Sequence, residues 1–263
     1  MSEAAKQPPV DAAVLAGGPP GGMVAESAGV SHRMLVPVQG EPMIVHVLRR
    51  LRRAQRLERI LVGTPPEVRQ HIPEGLVDAF TDPGDSFVAN LTGMAREAGP
   101  QRGLLACTGD IALITPEAVD DFVARSLECG CELGYGAVPM EDNDRMFPGG
   151  KRTAVRLREG RFTGGNIVYL APGLVESHAP LIQRLYEDRK SPVRLARVLG
   201  LGFVLRLLVG RLSTRALERR ASQILQAQVR VIVSHYPEVG FDVDKMEDLE
   251  TLRLYLAAHH VWE

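Results

Sequence analysis

Between residues 11 and 138 the chain alternates between two spacings of apolar side chains. Short unbroken apolar runs at 11–16, 60–62, 104–107 and 133–138 have the length of buried strands. Between them, residues 42–53 place Ile44, Val45, Val47, Leu48 and Leu51 on one helix face, and residues 86–98 do the same with Phe87, Leu91 and Met94. Thr115, Pro116 and Glu117 have the chemistry of a helix start: a hydroxyl cap, a proline at the first helical position and an acid in the first turn. Strands that alternate with helices pair in parallel through right-handed crossovers. The pattern therefore predicts an α/β chain with a Rossmann-like, doubly wound, mostly parallel sheet. After residue 150 the pattern changes. Residues 153–157 and 162–170, joined by Glu159 and Gly160, read as an antiparallel hairpin. Residues 173–228 read as almost wholly helical, 229–233 as a strand, and 248–258 as a closing helix with Leu249, Leu252 and Leu256 on one face. No internal repeat breaks this order, so the expectation is one domain over 1–263 with a helical insertion at 173–228.

Composition narrows the setting. Of 263 residues, 45% are hydrophobic and 24% charged, with a net charge of −1. That is an ordinary globular balance, with no overall field to hold a nucleic-acid partner. Cys107, Cys129 and Cys131 are too few for a disulfide framework and read as reduced thiols of a cytoplasmic protein. Residues 1–9 lack the apolar run of a secretory leader. The apolar segment 199–209 is shorter than the roughly 20 residues a bilayer span needs, and Arg206 in its middle would cost roughly 3 kcal/mol there. One local charge excess stands out. From Arg184 to Arg220 there are ten basic residues, among them Arg189, Lys190, Arg194 and Arg197, against three acids. Two readings stay open: a helix pair with a solvated basic face, or a surface for an anionic acceptor or peripheral contact with an acidic membrane.

Ligands of open α/β sheets gather at the carboxyl ends of strands. The first strand ends in Leu15, Ala16, Gly17 and Gly18 and enters a long irregular stretch up to His32. Glycines there allow backbone N–H groups close to phosphates, and also make plain turns. The third strand ends in Thr108, Gly109 and Asp110, where a carboxylate suits a Mg2+ ligand or a turn cap. Phe241 to Asp244 reads as a strand in which Asp242 and Asp244 share a face. Either could supply a second carboxylate to a metal site, or both could cap the helix that starts near Met246. Gly164 and Gly165 before Asn166 permit close approach to a ligand, or form a β-bulge. The seven histidines are scattered, with His259 and His260 in the tail, and make no nucleophile triad.

Taken in order, Leu15 to Gly18, the run from Arg33 through Gly40 to Ile44, Thr108 to Asp110, and Asp242 to Leu249 resemble the MobA-like NTP transferase family, which has a GT-A type fold. The resemblance covers roughly residues 10–172 and 229–258. It implies a nucleotidyltransferase that uses an NTP, Mg2+ and an anionic small-molecule acceptor. It places Gly17 and Gly18 against the phosphates, with Leu15, Ala16, Thr108 and Gly109 also at the nucleotide. Asp110 and Asp244 become the metal ligands. Asp85, Ser86 and Asn90 fall where relatives read base and ribose, and Lys151, Arg152, Gly164, Gly165 and Asn166 fall on the acceptor side. Arg33 stands where the family has a phosphate-binding Lys, offering a planar fork instead of a point charge. The glycine loop carries no basic residue before His32 and Arg33, a second departure.

Overall fold

The computed structural model of the chain describes residues 7–150, 152–188 and 200–259. In order come β1 (Val10–Leu15), α1 (Met23–Ser27), the short antiparallel pair β2 (Pro37–Val38) and β3 (Glu41–Pro42), α2 (Met43–Arg53) and β4 (Ile60–Gly63). Then follow α3 (Pro66–Arg69), β5 (Ala79–Thr81), α4 (Phe87–Ala98), β6 (Gly103–Thr108), α5 (Pro116–Glu128), β7 (Leu133–Pro139) and α6 (Met140–Met146). The chain continues through β8 (Ala154–Leu157), β9 (Gly160–Leu170), α7 (Leu174–Asp188), α8 (Leu201–Leu208), α9 (Thr214–Leu225), β10 (Val229–Val233) and α10 (Met246–His259).

The main sheet runs in the order β10-β7-β9-β6-β1-β4-β5, with β8 hydrogen-bonded to β9. β1 pairs in parallel with β4 and β6, β4 with β5, and β10 with β7. β9 lies antiparallel between β6 and β7. The hairpin expected at 153–170 forms as β8–β9, and its long arm is inserted into the middle of the sheet. The sheet is otherwise parallel, as the alternation of spacings predicts.

Helices cover both faces. On one face Val10, Ala12 and Val14 of β1 meet Ile44, Val45 and Leu48 of α2 and Phe122 of α5. On the other, Ala13, Leu61, Leu104 and Ala106 meet Leu91 and Met94 of α4, Leu174 of α7 and Leu225 of α9. Each fully buried Leu or Ile contributes roughly 2 kcal/mol. Ser86 and Thr115 cap α4 and α5, accepting the backbone N–H groups of Ala89 and Ala118 at 3.1 and 3.2 Å. α10 closes a third cluster in which Leu249, Leu252 and Leu256 pack with Phe241 and Val243.

Three expectations are corrected. Residues 241–244 join no strand. Phe241 and Val243 are buried, Asp242 is half-buried and Asp244 exposed, so the alternation is real but reports packing rather than a ladder. The stretch 19–32 is not irregular throughout, because α1 lies within it. Asp11 is not part of an all-apolar strand: fully buried in β1, it accepts from Arg59 Nε at 3.0 Å and Arg102 Nε at 2.7 Å. In 173–228 the described residues are mainly helical. α8 turns Val204 inward and leaves Leu205 and Leu208 exposed. Arg189, Lys190, Arg194 and Arg197 lie outside the described residues, as do Lys151 and His260. Among the described residues no helix is long and apolar enough to cross a membrane.

Candidate active site

The site forms where β1 and β6 end side by side, Leu15 opposite Thr108. The turn after β6 is tied back by Gly109, whose N–H donates to Leu15 O at 3.1 Å. A Cβ on Gly109 would stand 2.7 Å from Met34 Sδ and 3.2 Å from Ala16 Cβ, so only glycine lets the two strand ends close this tightly. This closure sets Asp110 at the bottom of the site, 2% exposed.

The far end of the chain arrives through the backbone: Val243 N donates to Asp110 O at 3.3 Å. That contact brings Asp242 and Asp244 to Asp110, and one oxygen from each of the three carboxylates lies within 4.8 Å of the others. Neither Asp242 nor Asp244 caps α10. Asp248 does, accepting from the N–H groups of Asp244 and Lys245 at 3.2 and 2.9 Å. Two guanidiniums hold the acidic cluster. Arg33 Nη2 lies 2.8 Å from Asp110 Oδ2, and its Nη1 donates to Asp244 Oδ1. Arg152 donates to the Asp242 carboxylate and, at 2.9 Å, to its backbone carbonyl, and stacks 4.8 Å over the Phe241 ring. The resemblance implies an acceptor-side role for Arg152; in the structure its partner is the Asp242 carboxylate.

Burial pushes the Asp110 carboxyl up against the pull of Arg33. Asp242 is pushed up to about 6, by burial first and then by the charge of Asp110, with Arg152 opposing. Asp110 Oδ1 is buried and accepts no hydrogen bond. A buried orphan oxygen beside two further carboxylates is a hard-oxygen donor set that fits a divalent cation.

His32, which the sequence reading passed over, builds the rim. It is buried; its Nδ1 accepts from Met34 N, which leaves Nε2 to donate to Gly18 O at 2.9 Å. The ring thus joins the glycine loop to the turn that carries Arg33. Its signal in the sequence was only its place beside Arg33. Gly18 faces open space and lines a cavity of about 230 Å³ with Arg33 and Asp244. Gly17 does not face it: a Cβ there would stand 2.7 Å from Pro83 Cβ.

The loop before α4 therefore packs on Gly17, the residue that the resemblance sets against the phosphates. Asn90 accepts from Gly84 N–H within that loop, and Ser86 donates to Gln183 Oε1 of α7 at 3.0 Å, while Asp85 is exposed. Leu15, Thr108, Gly165 and Asn166 line a second cavity of about 460 Å³ on the other side of the strand ends. Gly164 and Gly165 sit at a β-bulge, where the register of β9 on β7 shifts between Tyr135 and Ala137. A Cβ at Gly164 would stand 2.6 Å from the Tyr135 hydroxyl, so the bulge accounts for the glycine.

Residues 12–231 match the family model of the MobA-like NTP transferase domain. The chain belongs to this family. It is 28% identical over 235 residues to a 3-deoxy-manno-octulosonate cytidylyltransferase of Anaeromyxobacter sp. (strain Fw109-5), covering 85% of this chain and 90% of that relative. A hypothetical transferase structure from Thermus thermophilus is 36% identical and superposes with a TM-score of 0.82, covering 92% of this chain and 99% of that one. A CMP:2-keto-3-deoxy-manno-octonic acid synthetase complexed with CTP shares the fold, with a TM-score of 0.62 at 15% identity over 94% and 98% of the two chains. The chain is thus a nucleotidyltransferase by family, and the acidic cluster stands at the carboxyl end of its sheet.

Proposed function

We propose that this chain transfers a nucleoside monophosphate from an NTP to an anionic small-molecule acceptor, with release of pyrophosphate and dependence on Mg2+. The observation that carries the reading is the convergence of Asp110, Asp242 and Asp244 with Arg33, beside the open Gly18 loop. Asp110 and Asp244 are the proposed Mg2+ ligands, with Asp242 held in reserve by Arg152. When bound, Mg2+ supplies charge neutralisation at the phosphates and a template for them.

The residues of the chain do the rest. Arg33, about one-third exposed and lining the cavity, holds Asp110 and Asp244 with its fork and would turn that fork to the triphosphate once Mg2+ takes their oxygens. Leu15, Ala16, Gly18 and Gly109 form the wall along the nucleotide, with Gly17 packed behind it against Pro83 and Thr108 where the nucleotide meets the acceptor, and Asp85, Ser86 and Asn90 form the end at base and ribose. Gly164, Gly165 and Asn166 make the acceptor side. An acceptor oxygen bonds to the α-phosphorus in line, the bond to the bridging oxygen breaks, and its electron pair leaves with pyrophosphate. The protein accelerates this by position and charge, with no covalent intermediate. The naming of the relatives as cytidylyltransferases makes CTP the first nucleotide to test.

The test is a coupled pyrophosphate assay beside calorimetry of NTP binding. Asp244→Asn keeps one oxygen ligand and removes a charge needed most as pyrophosphate departs, so turnover should fall at least tenfold while NTP affinity changes little. Undiminished turnover in Asp244→Asn would remove Asp244 from the metal site. Tight NTP binding without pyrophosphate release from any acceptor would contradict transfer itself.

A further inference from the structure

The second cavity, of about 460 Å³, has a directional lining. Asn166, Val168 and Leu170 follow one another at alternate positions of β9 and share one face. The floor they form runs about 13 Å from the end of β6 inward. At the end nearest Asp110 it carries Thr108 and Asn166; at the inner end it carries Leu133 and Leu170. Phe87 and Leu91 of α4, Ile182 of α7 and Leu225 of α9 close it from above. Tyr135 supplies the remaining polar side chain of the lining. Thr108 Oγ1 is buried and meets no partner in full hydrogen-bonding geometry, its nearest polar neighbour being the Asp110 carboxylate, so with Asn166 it leaves hydrogen-bonding capacity at the polar end for a ligand oxygen.

We propose that this cavity holds the acceptor, and that the acceptor is amphiphilic: a polar head, anionic on the transferase reading and neutralised by its Mg2+, at Thr108 and Asn166, on an apolar body that lies among Phe87, Leu91, Ile182 and Leu225. The inference rests on the transferase reading above and adds the substrate class. A polyhydroxylated body does not suit this lining. Its hydroxyls would have Tyr135 and little else to pair with, and each one buried unpaired weakens binding roughly tenfold. The same scarcity of partners excludes a nucleobase edge. An apolar body gains roughly fourfold in affinity for each methylene buried.

The experiment is a calorimetric titration with n-butyl, n-hexyl and n-octyl phosphate and with glucose 1-phosphate, with and without the stabilising NTP and Mg2+. Affinity should rise with chain length by roughly fourfold per methylene, and octyl phosphate should exceed glucose 1-phosphate by at least a hundredfold. Ile182→Asn should flatten the length dependence, whereas Leu208→Ser, on the exposed side of α8, should leave it. The melting shift with NTP and Mg2+ reports whether each variant is folded, and the wild-type length series stands without any variant. Equal affinities across the series, a preference for glucose 1-phosphate, or no binding of any alkyl phosphate would overturn the inference. So would a length dependence that Leu208→Ser abolishes and Ile182→Asn spares. An NTP shift without alkyl binding would refute the cavity assignment alone, and alkyl binding without any NTP shift would refute the transferase reading alone.

Discussion

Replacing Arg33 by alanine removes the positive charge that two carboxylates share. Arg33 Nη2 is 2.8 Å from an Asp110 side chain that is 3% exposed, while the Arg33 side chain is 32% exposed. With charge centres about 4 Å apart, the attraction is about 4 kcal/mol at an effective dielectric constant of about 20. Solvent around Arg33 and proton uptake by the buried Asp110 reduce the net loss to about 2 kcal/mol. For a chain of this length that is a fall of about 6 °C in melting temperature at pH 8. At pH 5 the loss should shrink, because Asp110, already pushed up by burial, takes a proton when its partner is gone. Millimolar Mg2+ should restore the pH 8 melt, and Mg2+ alone should bind the variant more tightly than the wild type, since no guanidinium competes for the oxygens. NTP binding should weaken, and Arg33→Lys should retain it. Melts at both pH values, with Mg2+ and with chelator, make the test. An equal loss at pH 5 and pH 8 that Mg2+ does not repair would refute the argument that Arg33 holds the acidic cluster together.

The acidic cluster also sets a pH dependence. Asp242 is pushed up to about 6 from an ordinary value near 3.8, so between about pH 4 and 6 the folded chain keeps a proton that the unfolded chain has lost. Stability should therefore fall by about 3 kcal/mol as pH rises through that window. An Asp242→Asn protein should lack the fall; a wild-type profile identical to it would contradict the assignment. At the opposite end of β1, Asp11→Asn leaves Arg59 and Arg102 facing a neutral buried amide and should cost about 3 kcal/mol in urea unfolding without altering NTP affinity. A loss under 0.5 kcal/mol would show that the pairing is incidental.

Much of the framework could be read from the chain because it is local. The apolar face of α2, the caps at Ser86 and Thr115, and the hairpin depend on residues a few positions apart, and the structure contains each of them, with the hairpin turn at Arg158 and Glu159, one residue earlier than expected. What escaped depends on distant pairing. The pattern of β9 marks it as a strand but cannot say that Leu170 lies between Leu104 and Leu133. β5 is three residues long with Phe80 partly exposed, too short for any period to register. At Asp242 and Asp244 the alternation was correct and its interpretation as a strand was not, because alternation reports which side chains are buried, not what the backbone bonds to. The site followed the same division. Strand-end residues Gly18, Thr108 and Asp110 were visible from their position. The bond from His32 to Gly18 and the partners of Arg33 and Arg152 exist only after chain segments as much as 211 residues apart have met.

On the proposed function, Asp110, Asp244, Arg33 and the Gly18 loop form one metal-dependent triphosphate site. The most direct test is the melting temperature of the wild type and of Asp110→Asn with each of the four NTPs, in Mg2+ and in chelator. At least one NTP with Mg2+ should raise the wild-type melt, by about 2.7 kcal/mol of stability at 100 times its Kd. The rise should vanish in chelator and in Asp110→Asn. Four NTPs at millimolar concentration that leave the wild-type melt unmoved, or a rise that persists without Mg2+ and without the Asp110 carboxylate, would contradict the account.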